Sequence, residues 1–168
     1  MAIVRLHEYS SSVREEADRI RAQIAERAYE LAARHGYAPG HELDDWLTAE
    51  SQLVWKPELR LEEHPRAFVV KFRLPGVRAE DLRLSVEAER VLLLGEARAE
   101  SVAEDVYVHS DEFRYGVIFR EVWLPQPIDP ARARARLSEG VLTVTLPRPR
   151  AERSASRPTR SRRKNDAP

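Results

Sequence analysis

Apolar residues recur at steps of three and four along the first third of the chain and at steps of two along most of the rest. Val13, Ala17, Ile20, Ile24, Ala28 and Leu31 fall on one face of a helix drawn over residues 12–35. Ser12 and Glu15 stand in S-x-x-E spacing, which predicts a capping box at its start. Gly36 predicts its stop, because glycine tolerates the left-handed backbone that follows a helix. Beyond the Pro39-Gly40 turn, Leu43, Trp46, Leu47, Leu53 and Val54 predict a second, shorter helix that ends before Pro57. Asp44 and Asp45 lie near its start, where negative charge suits the helix dipole. The two helices form a hairpin whose apolar faces can meet, although about 45 residues bury too little surface to be autonomous.

From Leu59 the period is two. Leu59-Arg60-Leu61 is a short candidate strand, Phe68, Val70, Phe72 and Leu74 alternate through "AFVVKFRL", and Leu82, Leu84 and Val86 alternate through "DLRLSVE". "RVLLLGE" reads as a near-continuous apolar strand. "YGVIFREVWLP" follows, then "ARARARL", where Ala133, Ala135 and Leu137 face one way and Arg132, Arg134 and Arg136 the other. The last strand lies in "SEGVLTVTLPRP", with Val141, Thr143 and Thr145 set against Leu142, Val144 and Leu146. Gly76, Gly95, Gly116 and Gly140 are expected at or near breaks between strands. Seven or so short strands with no helix between them predict a mainly β fold, an antiparallel, immunoglobulin-like sandwich. The acidic link 97–112 is the exception: its "VYVH" is a candidate strand with no local partner.

Length and charge then divide the chain. The 168 residues suit one domain with appendages. We expect a helical arm over residues 1–54, the sandwich over 55–147 and a tail over 148–168. The tail is rich in Arg, Ser and Pro, with eight basic and two acidic residues, and it is expected to be disordered. The formal net charge is zero, so the body is correspondingly acidic. No cysteine is present, which excludes disulfides and thiolate metal sites. No apolar run reaches the roughly 18 residues of a membrane span, and "MAIVRLHEYSSS" lacks the apolar block of a signal peptide. We expect a cytoplasmic protein with no membrane association.

Candidate chemistry is thin. Isolated glycines form no nucleotide-binding fingerprint, and there is no G-x-S-x-G elbow. His7, His35, His41, His64 and His109 are scattered, whereas a metal needs three or four converging ligands. Glu104, Asp105, His109, Asp111 and Glu112 are the best metal candidate, and a solvated acidic loop is the preferred reading of them. No catalytic, cofactor or metal residue is assigned, and an enzyme is disfavoured. The basic tail can meet nucleic-acid phosphates without any fold. A solubilising tail that also brushes the acidic body is preferred.

The sheet region resembles the small heat-shock proteins, the α-crystallin-related chaperones. "FRLPGVRAEDLRLSVEAERVLLLGEAR" is similar to the family's LPGV-x-x-E-D-L block and the strand after it. "RYGVIFREVWLP" is similar to its YG-x-F-x-R-x-x-x-LP block, with Ile118 in place of the usual aromatic residue and Arg120 at the basic position. "ARLSEGVLTVTLP" matches the A-x-x-x-x-G-V-L-x-V-x-x-P signature at Ala135, Gly140, Val141, Leu142, Val144 and Pro147. The helices resemble a second, short bacterial module of unknown function, through Ala28, Tyr29, Leu31 and Gly36, then Asp45, Trp46, Ala49, Glu50 and Leu53.

The resemblance implies an ATP-independent holdase that binds partly unfolded client proteins, with no cofactor. It implies a homodimer in which Val106, Tyr107, Val108 and His109 pair with the edge near Leu59 and Leu61 of a second copy, with Arg120 at the interface. It also implies an edge groove lined by Leu82, Leu84, Val86, Ala133, Ala135 and Leu137, although a plain core role is the simpler reading of at least half of these. The family's carboxyl-terminal I-x-I or I-x-V motif, which fills that groove from another dimer, has no counterpart: no isoleucine follows Ile128. Val4 and Leu6 of "IVRL" are a candidate substitute, and an ordinary frayed end is the preferred reading of that segment. A scaffold or co-chaperone module for one native partner, docking through the helical pair, is the alternative function.

Overall fold

The computed structural model describes residues 2–4, 6–8, 11–99 and 101–149. The strands are β1 (Ala2–Ile3), β2 (Leu6–Glu8), β3 (Leu59–His64), β4 (Ala67–Arg73), β5 (Leu82–Val86), β6 (Arg90–Ala97), β7 (Gly116–Trp123), β8 (Arg134–Ser138) and β9 (Val141–Pro147). The helices are α1 (Ser11–Arg34) and α2 (Glu42–Leu53). Two sheets face each other, one ordered β1-β8-β9-β4-β3 and the other β2-β5-β6-β7. All pairings are antiparallel except the parallel pair β2–β5. The expected sandwich is therefore present, with the helices added as a third layer.

The alternation explains the two sheets. Phe68, Val70, Phe72, Leu142, Val144 and Leu146 project from one, and Leu84, Val86, Val91, Leu93, Ile118 and Val122 from the other, into one buried cluster. In strands, odd and even positions point to opposite faces. Leu92 and Leu94 therefore leave β6 on the outer side, where with Phe119 they meet Val13, Ala17, Ile20 and Ile24 of α1. This is why "RVLLLGE" does not alternate: β6 is buried on both faces. The expected α1 face is correct and rests on the sheet, supplying the surface that the hairpin alone lacks.

Several expectations are corrected. α1 begins at Ser11, one residue ahead of the expected Ser12. On α2 the expected apolar face is only partly inward: Val54, just past its end, is buried and Trp46 packs partly against the α1 cluster, while the three leucines face solvent. Leu43 is 68% exposed, Leu47 and Leu53 are also exposed, and the buried positions are Asp45 and Ala49. On the inward side His35 Nε2 and Asp45 Oδ1 lie 2.9 Å apart, and Ala49 packs with the α1 stripe. Gly76, Gly116 and Gly140 take positive φ as expected, but Gly95 lies inside β6. A β-carbon there would stand 2.7 Å from the Asp81 carbonyl oxygen, so close approach rather than a turn requires glycine. Val106, Tyr107 and Val108 form no strand; they are exposed in the link between β6 and β7. The Val106 N–H donates instead to the Ala103 carbonyl at 3.0 Å, in a turn rather than a ladder.

No helix among the described residues is long and apolar enough to cross a membrane. The expected tail disorder falls almost entirely on residues outside those described. Arg148, at its root, pairs with Glu63 and lies over the Phe68 ring at 4.9 Å.

Candidate functional site

β5 and β8 stand at the same side of the sandwich, in different sheets, and the six residues of the expected groove lie on or next to them. Leu82, Leu84 and Val86 come from β5 and Ala135 and Leu137 from β8, with Ala133 just before it; all six are buried. Their cover is the start of the chain. Ala2 and Ile3 pair antiparallel with Leu137 and Arg136. Leu6, His7 and Glu8 pair parallel with Leu84, Ser85 and Val86. Val4, where this strap crosses from one sheet to the other, is 1% exposed and belongs to the same buried cluster as the groove residues. The frayed-end reading of "IVRL" is thereby overturned. Two short strand additions satisfy backbone groups on both edges at once, and burying one apolar side chain of this size is worth about 1.5–3 kcal/mol.

The opposite side of the sandwich carries the other site residues. β3 ends its sheet with no strand on its outer edge among the described residues. Leu59 packs partly against the core, while Leu61 is exposed. At the β7 edge, Trp55 makes a parallel bridge with Ile118, its N–H donating to the Val117 carbonyl at 2.7 Å and its own carbonyl accepting from Phe119 at 3.1 Å. Arg120 follows in β7; burial pulls its guanidinium below the usual arginine range against the pull of Glu50, and its Nε is buried without a hydrogen-bond acceptor. Val106, Tyr107, Val108 and His109 are exposed, with the Tyr107 and His109 rings edge-on at 4.8 Å. In the acidic link, Asp111 is occupied locally: Oδ1 accepts from the Phe113 N–H and Oδ2 from the Tyr115 hydroxyl, both at 3.0 Å. No group of three or more metal-ligating side chains occurs among the described residues.

The signature residues shape the hairpin that ends the sheet. Ala135 faces the core from β8, and Leu142 does so from β9. Glu139 and Gly140 both take positive φ, the backbone of a two-residue hairpin turn whose twist suits the strands it joins. The Gly140 carbonyl then accepts from the Leu74 N–H at 2.6 Å, tying the turn to the end of β4.

A charged array between α1 and the second sheet was not anticipated from the sequence. Arg14 of α1 bonds Glu87 at 2.8 Å, Glu87 bonds Arg90 at 2.8 Å, Arg90 bonds Glu121 at 2.9 Å, and Glu121 bonds Arg21 of α1 at 2.9 Å. A separate bidentate pair joins both Arg83 Nη atoms to the Glu16 carboxylate, at 2.6 and 2.5 Å. The two arginines of Glu87 outweigh the effect of its partial burial and hold its carboxyl below the usual range. Arg14 and Arg21 are seven residues apart, two helical turns, and this spacing beside the apolar stripe is the signal that could have revealed the array.

The comparisons agree with this geometry. The model of the "Hsp20/alpha crystallin family" matches residues 60–161, and that of a "Protein of unknown function (DUF2934)" matches residues 21–53. A 21.9 kDa heat shock protein of Oryza sativa subsp. japonica is 42% identical over 96 residues, covering 52% of this chain and 47% of the relative. Spore protein SP21 of Stigmatella aurantiaca is 33% identical over 92 residues, covering 55% and 54%. The chain thus spans about half the length of the curated relatives it matches. Among solved structures, heat shock protein 16.0 from Schizosaccharomyces pombe superposes with a TM-score of 0.53 at 30% identity, covering 56% of this chain and 87% of that one. A small heat-shock protein from Xylella fastidiosa gives 0.50 at 30% identity, covering 66% and 98%. With a family model matched across well over half its length and the corresponding sandwich in place, this chain belongs to the Hsp20/alpha crystallin family.

Proposed function

We infer that the protein is an ATP-independent holdase that binds partly unfolded proteins and keeps them from aggregating. The observation that carries this reading is the family sandwich with apolar edges, two of which, at β8 and β5, already accept short segments, residues 2–3 and 6–8, by strand addition. Unfolding chains expose apolar side chains and unpaired strands, and these are what such an edge recognises. Binding requires no catalytic step, so the protein is not an enzyme in this reading, and release to refolding is left to other machinery. Strap and client compete for the groove of Leu82, Leu84, Val86, Ala133, Ala135 and Leu137.

The working unit is a homodimer by strand exchange. Three observations support it: the open outer edge of β3 at Leu59 and Leu61, the exposed apolar link at Val106, Tyr107 and Val108, and the buried Nε of Arg120 that lacks an acceptor. A link lent to a second copy covers an edge that otherwise invites uncontrolled pairing. The action is cytoplasmic, and larger assemblies form if straps exchange between copies. To test the holdase reading, a thermolabile enzyme is heated with stoichiometric purified protein and no nucleotide. Light scattering is expected to stay low; scattering equal to that of the enzyme alone overturns the reading.

A further inference from the structure

The outer face of the second sheet carries an apolar strip that α1 covers, together with Ala49 of α2 and Val54 of the same cluster. Leu92, Leu94 and Phe119 are each under 7% exposed, and the layer above them is the α1 stripe of Val13, Ala17, Ile20 and Ile24. α1 is joined to the strap by a short stretch at one end and to α2 by the turn after Gly36 at the other, so it can lift without unfolding either sheet. Both sheets keep their own ladders beneath it. The pairs that cross from helix to sheet, Arg14–Glu87, Glu16–Arg83 and Arg21–Glu121, lie at the surface, where the side chains are about a fifth to two-fifths exposed.

We propose that this face of β6 and β7 is a second binding surface for apolar segments of unfolding polypeptide, held shut by α1 and its three Arg–Glu pairs. The proposal rests on the holdase reading and adds a site away from the groove and the dimer edges. The chemistry selects the occupant. An apolar strip about one helix wide, bordered by Arg83, Arg90, Glu87 and Glu121, favours a segment with a hydrophobic stripe and charges of both signs, which is what α1 itself presents. A rigid folded partner would have to match that alternating border; a partly unfolded chain adapts to it. Lifting α1 exposes two complementary apolar surfaces together, the sheet face and the helix stripe, so capacity rises as heat loosens the least anchored layer first.

The chain contains no cysteine, so the latch can be locked selectively. A Glu16→Cys/Arg83→Cys variant joined by a short bis-maleimide keeps α1 down. Glu16→Arg sets like charges against each other and loosens the latch, and Glu16→Arg/Arg83→Glu restores the pair in reverse. Two readouts are taken: bis-ANS fluorescence, which reports accessible apolar surface, and suppression of aggregation of a thermolabile enzyme. The expected result is a severalfold rise in bis-ANS signal and lower scattering for Glu16→Arg, a return to the parent level for the charge swap, and a loss of capacity of at least twofold on cross-linking. Capacity equal in locked and unlocked forms, with the parent protein active, overturns the second surface and leaves the holdase reading intact. A parent protein that fails to suppress aggregation overturns the holdase reading; in that case bis-ANS binding that is unchanged between Glu16→Arg and the locked form overturns the latch as well. Circular dichroism of each variant identifies global unfolding, and a misfolded Glu16→Arg leaves the locked form against its uncross-linked self as the deciding comparison.

Discussion

Leu6 stands opposite Leu84 in parallel register, while four residues earlier Ala2 stands opposite Leu137 in antiparallel register. Two short segments close in sequence, residues 2–3 and 6–8, thus pair with different sheets at one side of the sandwich. The point of crossing is Val4, and Val4→Asp would place a charge among the groove residues. The strap undocks before that charge is buried, so the cost is limited to the free energy of strap docking. Hydrogen exchange is expected to speed up at the outer edges of β5 and β8 while β6 and β9 stay protected. Unchanged exchange at both edges would mean that the strap does not pair there in solution.

Gly95→Ala tests the close approach of β6 to the turn before β5. Its β-carbon would meet the Asp81 carbonyl oxygen at 2.7 Å and Leu82 Cδ2 at 2.8 Å, and the carbonyl belongs to backbone that cannot swing aside. Overpacking of this kind costs about 1–3 kcal/mol. A lowered urea midpoint at constant slope is the expected result.

Leu93 faces the sandwich interior and Leu94 the helix layer, yet both are fully buried. Leu93→Ala and Leu94→Ala are therefore each expected to destabilise by about 2–5 kcal/mol. A near-neutral Leu94→Ala in equilibrium unfolding would show that α1 spends little time on the sheet.

The Glu87 carboxyl titrates below its ordinary value of 4.5 despite the opposing burial, because Arg90 and Arg14 bond the ionised form. A carboxyl whose folded pKa is lowered contributes stability that is fully present above the unfolded value and disappears as pH falls through the folded value. Acidification from about pH 5 downward is expected to loosen α1, and Glu87→Gln is expected to flatten that part of the stability profile. Parent and variant melting profiles that run parallel below pH 5 would contradict this.

Val106→Asp/Val108→Asp places two charges in the segment expected to pair with a second copy. The measured mass by light scattering after size separation is expected to fall to that of a single subunit, with the circular dichroism spectrum unchanged. A mass that does not move would remove the link from the interface.

Much of the molecule was legible in the chain because local periodicity and turn chemistry report one-face burial directly. The strands from Phe68 to Leu146 and the α1 stripe follow from alternation and from the 3.6-residue repeat. The burial of Leu82, Leu84 and Val86 of β5 and of Ala135 and Leu137 of β8 was legible as well, since their inward parity is set by the pleat. α2 was read only in part: Trp46 and Val54 turn inward, but its leucines do not, because the side that meets α1 carries Ala49 and the Asp45 carboxylate, which faces His35. The role of Gly95 was equally hidden, because the carbonyl that excludes a side chain comes from Asp81, fourteen residues earlier.

The amino-acid sequence by itself determined which segments are helix or strand and which face of most of them is apolar, since those properties depend on neighbours within a few residues. Only the tertiary structure decided that residues 2–3 and 6–8 pair with β8 and β5 and that β6 is buried on both sides. Segments of two or three residues carry no periodicity of their own, and their hydrogen bonds and contacts are made with strands some 80 to 130 positions away.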